Sequence, residues 1–154
     1  MDRWILINQY FYPSIINHIC VQFSIGTVFR YRSHEKIEKV TIPREVKAFS
    51  YFGYAVSSGY FTNSKSSLFF VSSAPHAETV LIFDNKWGTI NVYLTLLGSQ
   101  MGEYFGYTLL VDDFNNDGFS DLAVGAPLYS KNTKHEHGAV YIYLNQKTTT
   151  KYQV

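Results

Sequence analysis

Residues Gly106 to Pro127 read GYTLLVDDFNNDGFSDLAVGAP, and inside them Asp113-Phe114-Asn115-Asn116-Asp117-Gly118-Phe119-Ser120-Asp121 carries oxygen-bearing side chains at loop positions 1, 3, 5 and 9. Calcium is a hard cation that takes six to eight oxygens at roughly 2.3–2.6 Å, and alternate residues of a tight loop converge on such an ion. Gly118 stands at position 6, where a sharp turn favours a residue without Cβ. Phe119, at position 7, contributes only its backbone carbonyl, so its side chain is free to be apolar. Asp113, Asp117 and Asp121 set three negative charges against one Ca²⁺, with Asn115 neutral. An EF-hand ends differently, in a bidentate Glu at position 12. Here the last ligand is Asp121, and the chain passes directly into the apolar Leu122-Ala123-Val124. The reading is one calcium site between two strands, set against the plainer one of an Asx-rich surface turn.

The surrounding chain has 154 residues, 46% of them hydrophobic and 18% aromatic, enough for a packed core and a composition that favours strands. A net charge of +1 gives no electrostatic argument for nucleic acid or an anionic membrane surface. Cys20 is the single cysteine, so no intrachain disulfide is possible, and it has no evident activating partner. No apolar run reaches the 18–20 residues, roughly, of a membrane span. Met1–Phe23 lacks the uninterrupted apolar middle of a signal peptide and reads as a poorly specified segment.

From Gly26 onward short alternating runs repeat. Tyr51-Phe52-Gly53-Tyr54 returns as Tyr104-Phe105-Gly106-Tyr107, Ser73-Ala74-Pro75 as Gly125-Ala126-Pro127, and Thr79–Phe83 as Ala139–Tyr143, with an earlier copy of that strand at Thr27–Tyr31. Strands are expected at 52–58, 67–73, 79–84 and 89–95, and again at 105–112, 120–125, 138–144 and 148–154, with hairpin turns at Asn85–Gly88 and Asn145–Lys147. Four antiparallel strands at a period in the fifties indicate propeller blades. The expected fold is all-β: a partial β-propeller of two four-stranded antiparallel blades plus the end of a third. The segments are 1–23, poorly specified; 24–43, the end of a preceding blade; 44–97, a repeat without metal; and 98–154, a repeat with the calcium loop. The first repeat reads Gly59–Lys65 where the calcium loop would be, with no carboxylate.

These residues resemble the FG-GAP repeats of the integrin alpha-subunit β-propeller. The resemblance covers Gly26 to about Val154 and rests on Phe52-Gly53, Phe105-Gly106, Gly125-Ala126-Pro127, the Asp113–Asp121 loop and Gln100–Gly106. It implies adjacent blades from the middle or later part of a seven-bladed ring, and a non-enzymatic adhesion module. Such a module binds calcium and pairs with an integrin beta subunit. It recognises extracellular matrix or cell-surface protein ligands on the outer side of the plasma membrane. Two blades cannot close a ring, so a piece of a propeller, marginal or aggregation-prone alone, is expected.

In a four-stranded blade the loops joining strands 1–2 and 3–4 emerge at one end, and those joining 2–3 and 4–1 at the other. The end opposite calcium resembles the family's binding platform. There the aromatic-aromatic-Gly-aromatic motif, followed by Pro75 or Pro127, looks like the family's cage for a partner's cationic side chain, which implies partner contacts from Tyr51, Phe52, Tyr104 and Phe105. For Phe52 and Phe105 the alternative of inter-blade core stands beside it. His135-Glu136-His137 offers too few ligands for zinc and reads as a solvated loop. Two other functions stay open: an FG-GAP propeller attached to a secreted enzyme, whose catalytic residues this chain does not supply, and a truncated product without autonomous function.

Overall fold

Antiparallel sheets follow one another along the chain, as its repeats require. The structure, a computed structural model, describes residues 16–20, 27–31, 38–39, 46, 49–62, 67–86, 89–130, 137–145 and 152–153. In the first sheet β1 (Ile16–Cys20), β2 (Thr27–Tyr31) and β3 (Glu38–Lys39) lie in the order β1-β2-β3. Thus part of the N-terminal stretch before residue 24 pairs with β2, Ile16 opposite Tyr31 and Cys20 opposite Thr27. The first complete blade is β4 (Val56–Gly59), β5 (Phe69–Ala74), β6 (Thr79–Lys86) and β7 (Thr89–Leu97), with a 3-10 turn at Pro75–Ala77 between β5 and β6. The second is β8 (Thr108–Asp112), β9 (Asp121–Ala126), β10 (Ala139–Asn145) and β11 (Tyr152–Gln153). Both are antiparallel meanders in which sequence neighbours are sheet neighbours. The fold is the all-β partial propeller expected.

Two boundaries differ from the sequence expectation. The strands expected from residues 52 and 105 begin later, at Val56 and Thr108, because the aromatic-Gly motif forms a turn. Tyr51 and Gly53 have φ of 57° and 91°, and Tyr104 and Gly106 have 58° and 93°, values incompatible with a strand. Tyr54 N–H donates to Tyr51 O at 3.0 Å, and Tyr107 N–H to Tyr104 O at 3.1 Å, closing both turns. The hairpin expected at Asn85–Gly88 is also shorter. β6 continues through Lys86, which pairs with Thr89, and residues 87 and 88 lie outside the described residues, as do 146 and 147 of the second hairpin.

The first blade is buried on both faces, and alternation sorts its side chains. Phe69, Val71, Val80 and Ile82 face the second blade, whereas Phe70, Ala74, Leu81 and Phe83 face the other way with Phe52. A bulge between Ile82 and Phe83, whose partners are Leu94 and Val92, leaves Tyr93 as the extra residue. It shifts the register by one, so Leu94 and Leu96 face the inter-blade core and Val92 and Ile90 the opposite side. The second blade contributes Phe105, Leu122, Val124, Ala126 and Tyr143 to the shared core.

Close approach of the blades depends on Gly106. A Cβ there would stand 2.7 Å from Ser73 Cβ and 3.0 Å from Val80 Cγ2, in the face of the first blade. The other face of the second blade is bare. Val140 is 68% exposed and Ile142 51%, whereas Val80 and Ile82, their counterparts in the first blade, are both at 0% beneath the second.

Gly106→Ala therefore combines left-handed backbone strain with a steric overlap, and its expected cost is about 2–4 kcal/mol. Chemical denaturation checks it, and an unchanged midpoint would contradict the account. Burial pushes the Tyr143 hydroxyl up to about 12, with smaller contributions from Tyr141 and Glu103. Because the folded pKa exceeds the unfolded value near 10, this contribution is complete below about pH 10 and is lost as pH rises towards 12. A denaturation series across that window should show stability falling, and Tyr143→Phe should flatten the fall.

Candidate functional site

The five residues expected to bind calcium all lie in the connection from β8 to β9, with Asp121 opening β9. Gly118 has φ of 89° with nothing within 4 Å of a Cβ built there, so the conformation, not crowding, calls for glycine. The loop folds on its own carboxylates. Asp113 accepts from Asp117 N–H at 3.0 Å and from Gly118 N–H at 2.7 Å, one on each oxygen. Asn115 Oδ1 accepts from Asp117 N–H at 3.0 Å, and Asp117 Oδ1 from Phe119 N–H at 2.9 Å. Asp121 is fully buried, with Oδ2 accepting from Phe114 N–H at 2.9 Å and Oδ1 from Asn145 N–H at 2.7 Å.

Among the described residues no group of three or more His, Cys, Asp or Glu side chains is drawn together as a metal cluster. The chemistry of the donor set nonetheless fits a hard cation. Its side-chain donors are all oxygens. Each carboxylate oxygen has two lone pairs, and the hydrogen bonds above take at most one per oxygen. Asp113, Asn115, Asp117 and Asp121, with the Phe119 carbonyl, would hold the ion, which would neutralise the three carboxylates of the loop.

This loop is tied to the first blade. Ser120 N–H donates to Tyr60 O at 3.0 Å, and Tyr60 N–H to Ser120 Oγ at 2.9 Å. Asn145 Nδ2 donates to Phe61 O at 2.9 Å and to Ser120 O at 3.3 Å. Whatever tightens the loop therefore acts on the joint. The matching stretch of the first blade, Gly59–Lys65, is described only as far as Thr62.

At the other end of the blades the structure divides the four aromatic candidates. Phe52 and Phe105 have no exposed surface. Phe52 packs on Phe83 at 6.3 Å, and Phe105 meets Tyr141 edge-on at 5.1 Å. They are core, Phe105 between the two blades and Phe52 on the opposite face of the first, so the partner contact expected of them gives way to a packing role. Tyr51 and Tyr104 are half-buried and meet on one residue, His76, from the 3-10 turn. The Tyr51 and His76 rings lie 4.3 Å apart and those of His76 and Tyr104 5.3 Å, both nearly perpendicular. His76 Nε2 stands 2.6 Å from the Tyr104 hydroxyl. Beside them Tyr54 and Tyr107 are 5.3 Å apart, and burial, then the Tyr107 hydroxyl, raises the Tyr54 pKa.

Sequence reasoning missed His76, although it follows the Pro75 landmark directly. It also missed Glu103, which is fully buried and accepts from Ser99 N–H at 2.7 Å and the Tyr141 hydroxyl at 2.9 Å. No spacing rule marked a lone Glu in a connecting turn. Of His135-Glu136-His137, the first two lie outside the described residues; His137 N–H donates to Tyr129 O at 2.9 Å.

The model of the FG-GAP repeat family matches residues 105–143, from Phe105 through the acidic loop to Tyr143. Residues 105–143 thus form an FG-GAP repeat, and the chain is similar to integrin alpha subunits over about two thirds of its length. It is 43% identical over 102 residues to integrin alpha-PS3 of Drosophila melanogaster, covering 63% of this chain and 9% of that one. Integrin alpha-PS5 of the same fly is 39% identical over 103 residues, 64% of this chain and 10% of the relative. Integrin alpha-4 of Xenopus laevis is 35% identical over 125 residues, 78% and 12% respectively. The chain thus spans about a tenth of the length of the curated relatives it matches. Gly106 N–H donates to Gly125 O at 3.1 Å, and in the first blade Gly53 N–H donates to Ser73 O at 2.9 Å. In both, the Phe-Gly turn is bonded to the end of the following strand, at Ser73 of Ser-Ala-Pro and at Gly125 of Gly-Ala-Pro.

Asn145→Ala removes both side-chain bonds to the Phe61 and Ser120 carbonyls. Its expected cost is about 1–3 kcal/mol, read by urea denaturation, and a neutral result would show that the loop is not coupled to the first blade as described.

Proposed function

We propose that this chain serves as part of an adhesion receptor of the integrin alpha type, a binding module rather than an enzyme. The Asp113–Asp121 loop holds one calcium ion. The opposite end of the blades, with Tyr51 and Tyr104, meets a beta subunit and, together with it, protein ligands outside the cell. The observation that carries the reading is the loop itself: oxygen donors at positions 1, 3, 5, 7 and 9, already folded around a glycine at position 6 and ending in the buried Asp121. Calcium has a structural role there. It offsets the repulsion of Asp113, Asp117 and Asp121 and thereby stiffens a joint that the loop shares with Tyr60 and Phe61. On the platform, the outer faces of Tyr51 and Tyr104 offer π surface to a partner's cationic side chain, while Phe52 and Phe105 hold the turns from beneath.

Thermal melting of the full chain tests the metal reading. With affinity in the 10⁻⁴–10⁻³ M range usual for extracellular modules, about 5 mM calcium should add about 1–2 kcal/mol, roughly 3–10 °C in midpoint, relative to chelator. Asp117→Ala should abolish that rise. Asp121→Ala should also lower the midpoint in chelator, because it strips the acceptor from two backbone N–H groups. A midpoint indifferent to calcium in the unsubstituted chain would overturn the reading.

A further inference from the structure

The joint between the two blades contains a carboxylate that neither the calcium loop nor the aromatic cluster accounts for. Glu78, directly after the 3-10 turn of the first blade, reaches into the turn that leads into the second. Its Oε1 accepts from Gly102 N–H at 2.9 Å and Tyr104 N–H at 3.3 Å, and its Oε2 accepts from Phe105 N–H at 2.7 Å. Backbone N–H groups converging in this way form an anion-binding nest, here filled by the chain's own side chain. We propose that Glu78 is a positioning residue: by filling this nest it fixes the lead-in turn of the second blade and sets Tyr104 against His76.

Three observations support the assignment. Tyr104 sits at φ of 58°, which a residue with a Cβ keeps only where its surroundings hold it, and two of the three N–H groups bound by Glu78 are those of Tyr104 and the residue after it. Glu78 is itself held, at φ of 49°, with its N–H on Pro75 O at 3.2 Å, and His76 belongs to that same closed turn. One rigid segment thus places His76 between two tyrosines and anchors the backbone of one of them. Third, among the described residues the latch occurs at this joint. The residue before β10 that corresponds to Glu78 is Gly138, at φ of 68°, and the residue before β2 is Gly26. Glu78 and Gly138 share the left-handed backbone geometry, and neither glycine supplies a carboxylate.

The use of the ring cluster rests on the binding function proposed above, whereas the latch is measured without any ligand. A lost calcium response would therefore overturn the metal site and leave this assignment standing. In the isotope-labelled full chain, Glu78→Gly should speed amide exchange at Gly102, Tyr104 and Phe105 by at least about tenfold, with Leu122 and Val124 unchanged. The His76 ring protons should at the same time lose the ring-current shift imposed by Tyr51 and Tyr104. Glu78→Gln, which keeps one acceptor oxygen and replaces the other with a donor, should give part of both effects. The assignment is overturned if the His76 signals do not move, or if Leu122 and Val124 accelerate as much as the turn, which would make Glu78 a general stabiliser. If Glu78→Gly does not fold, Glu78→Gln decides by the same criteria.

Discussion

The seating of the second blade's lead-in turn on the face of the first is the constraint on which the rest depends. Gly106 lies where any Cβ would overlap Ser73, and this proximity lets Phe105 enter the core that Val71, Val80 and Ile82 line from the other side. Burial of such side chains is worth about 1.5–3 kcal/mol each, so the interface contributes far more than any hydrogen bond across it. The polar contacts have a different task. Tyr60 with Ser120, Asn145 with Phe61, and Glu78 with the Gly102–Phe105 turn fix the register in which the apolar faces meet.

The two chemically distinctive ends are therefore parts of one object. β8 starts at the turn that presents Tyr104 and ends at the acidic loop, so both ends are aligned by the same short strand. At one end Asp113, Asp117 and Asp121 accept backbone N–H groups of the loop and, through Asp121, that of Asn145 in β10. At the other, rings from successive blades close on His76. Neither blade alone carries the ring cluster. The bare face bearing Leu110, Val140 and Ile142 repeats the chemistry of the covered Val80 and Ile82, as a repeat array built from equivalent layers would.

Much of this was legible in the residues. Alternation located the strands, and the spacing of Asp113, Asn115, Asp117, Gly118 and Asp121 located the loop and its glycine. Repetition of Phe-Gly and Ala-Pro gave the blade count. What the residues did not disclose was backbone conformation and long-range partnership. Tyr51 and Tyr104 look like strand residues by propensity, yet they sit in the left-handed region, in turns whose glycine two residues on bonds to the end of the following strand. Phe52 and Phe105 share a motif with their exposed neighbours, and only the packing of one blade on another shows that they point inward. Glu78, Glu103 and Asn145 act across 27, 38 and 84 positions of sequence, beyond the reach of any local pattern.

The central claim is that two blades form a single cooperative unit through this joint. Native-state hydrogen exchange with increasing denaturant tests it most directly, by following the amides of Val71, Val80 and Ile82 in the first blade and Leu122 and Val124 in the second. The account predicts that both sets converge on one opening free energy and one denaturant dependence. If the second blade opened at markedly lower free energy while the first stayed protected, the blades would be separate units and the joint described here would not be what holds them.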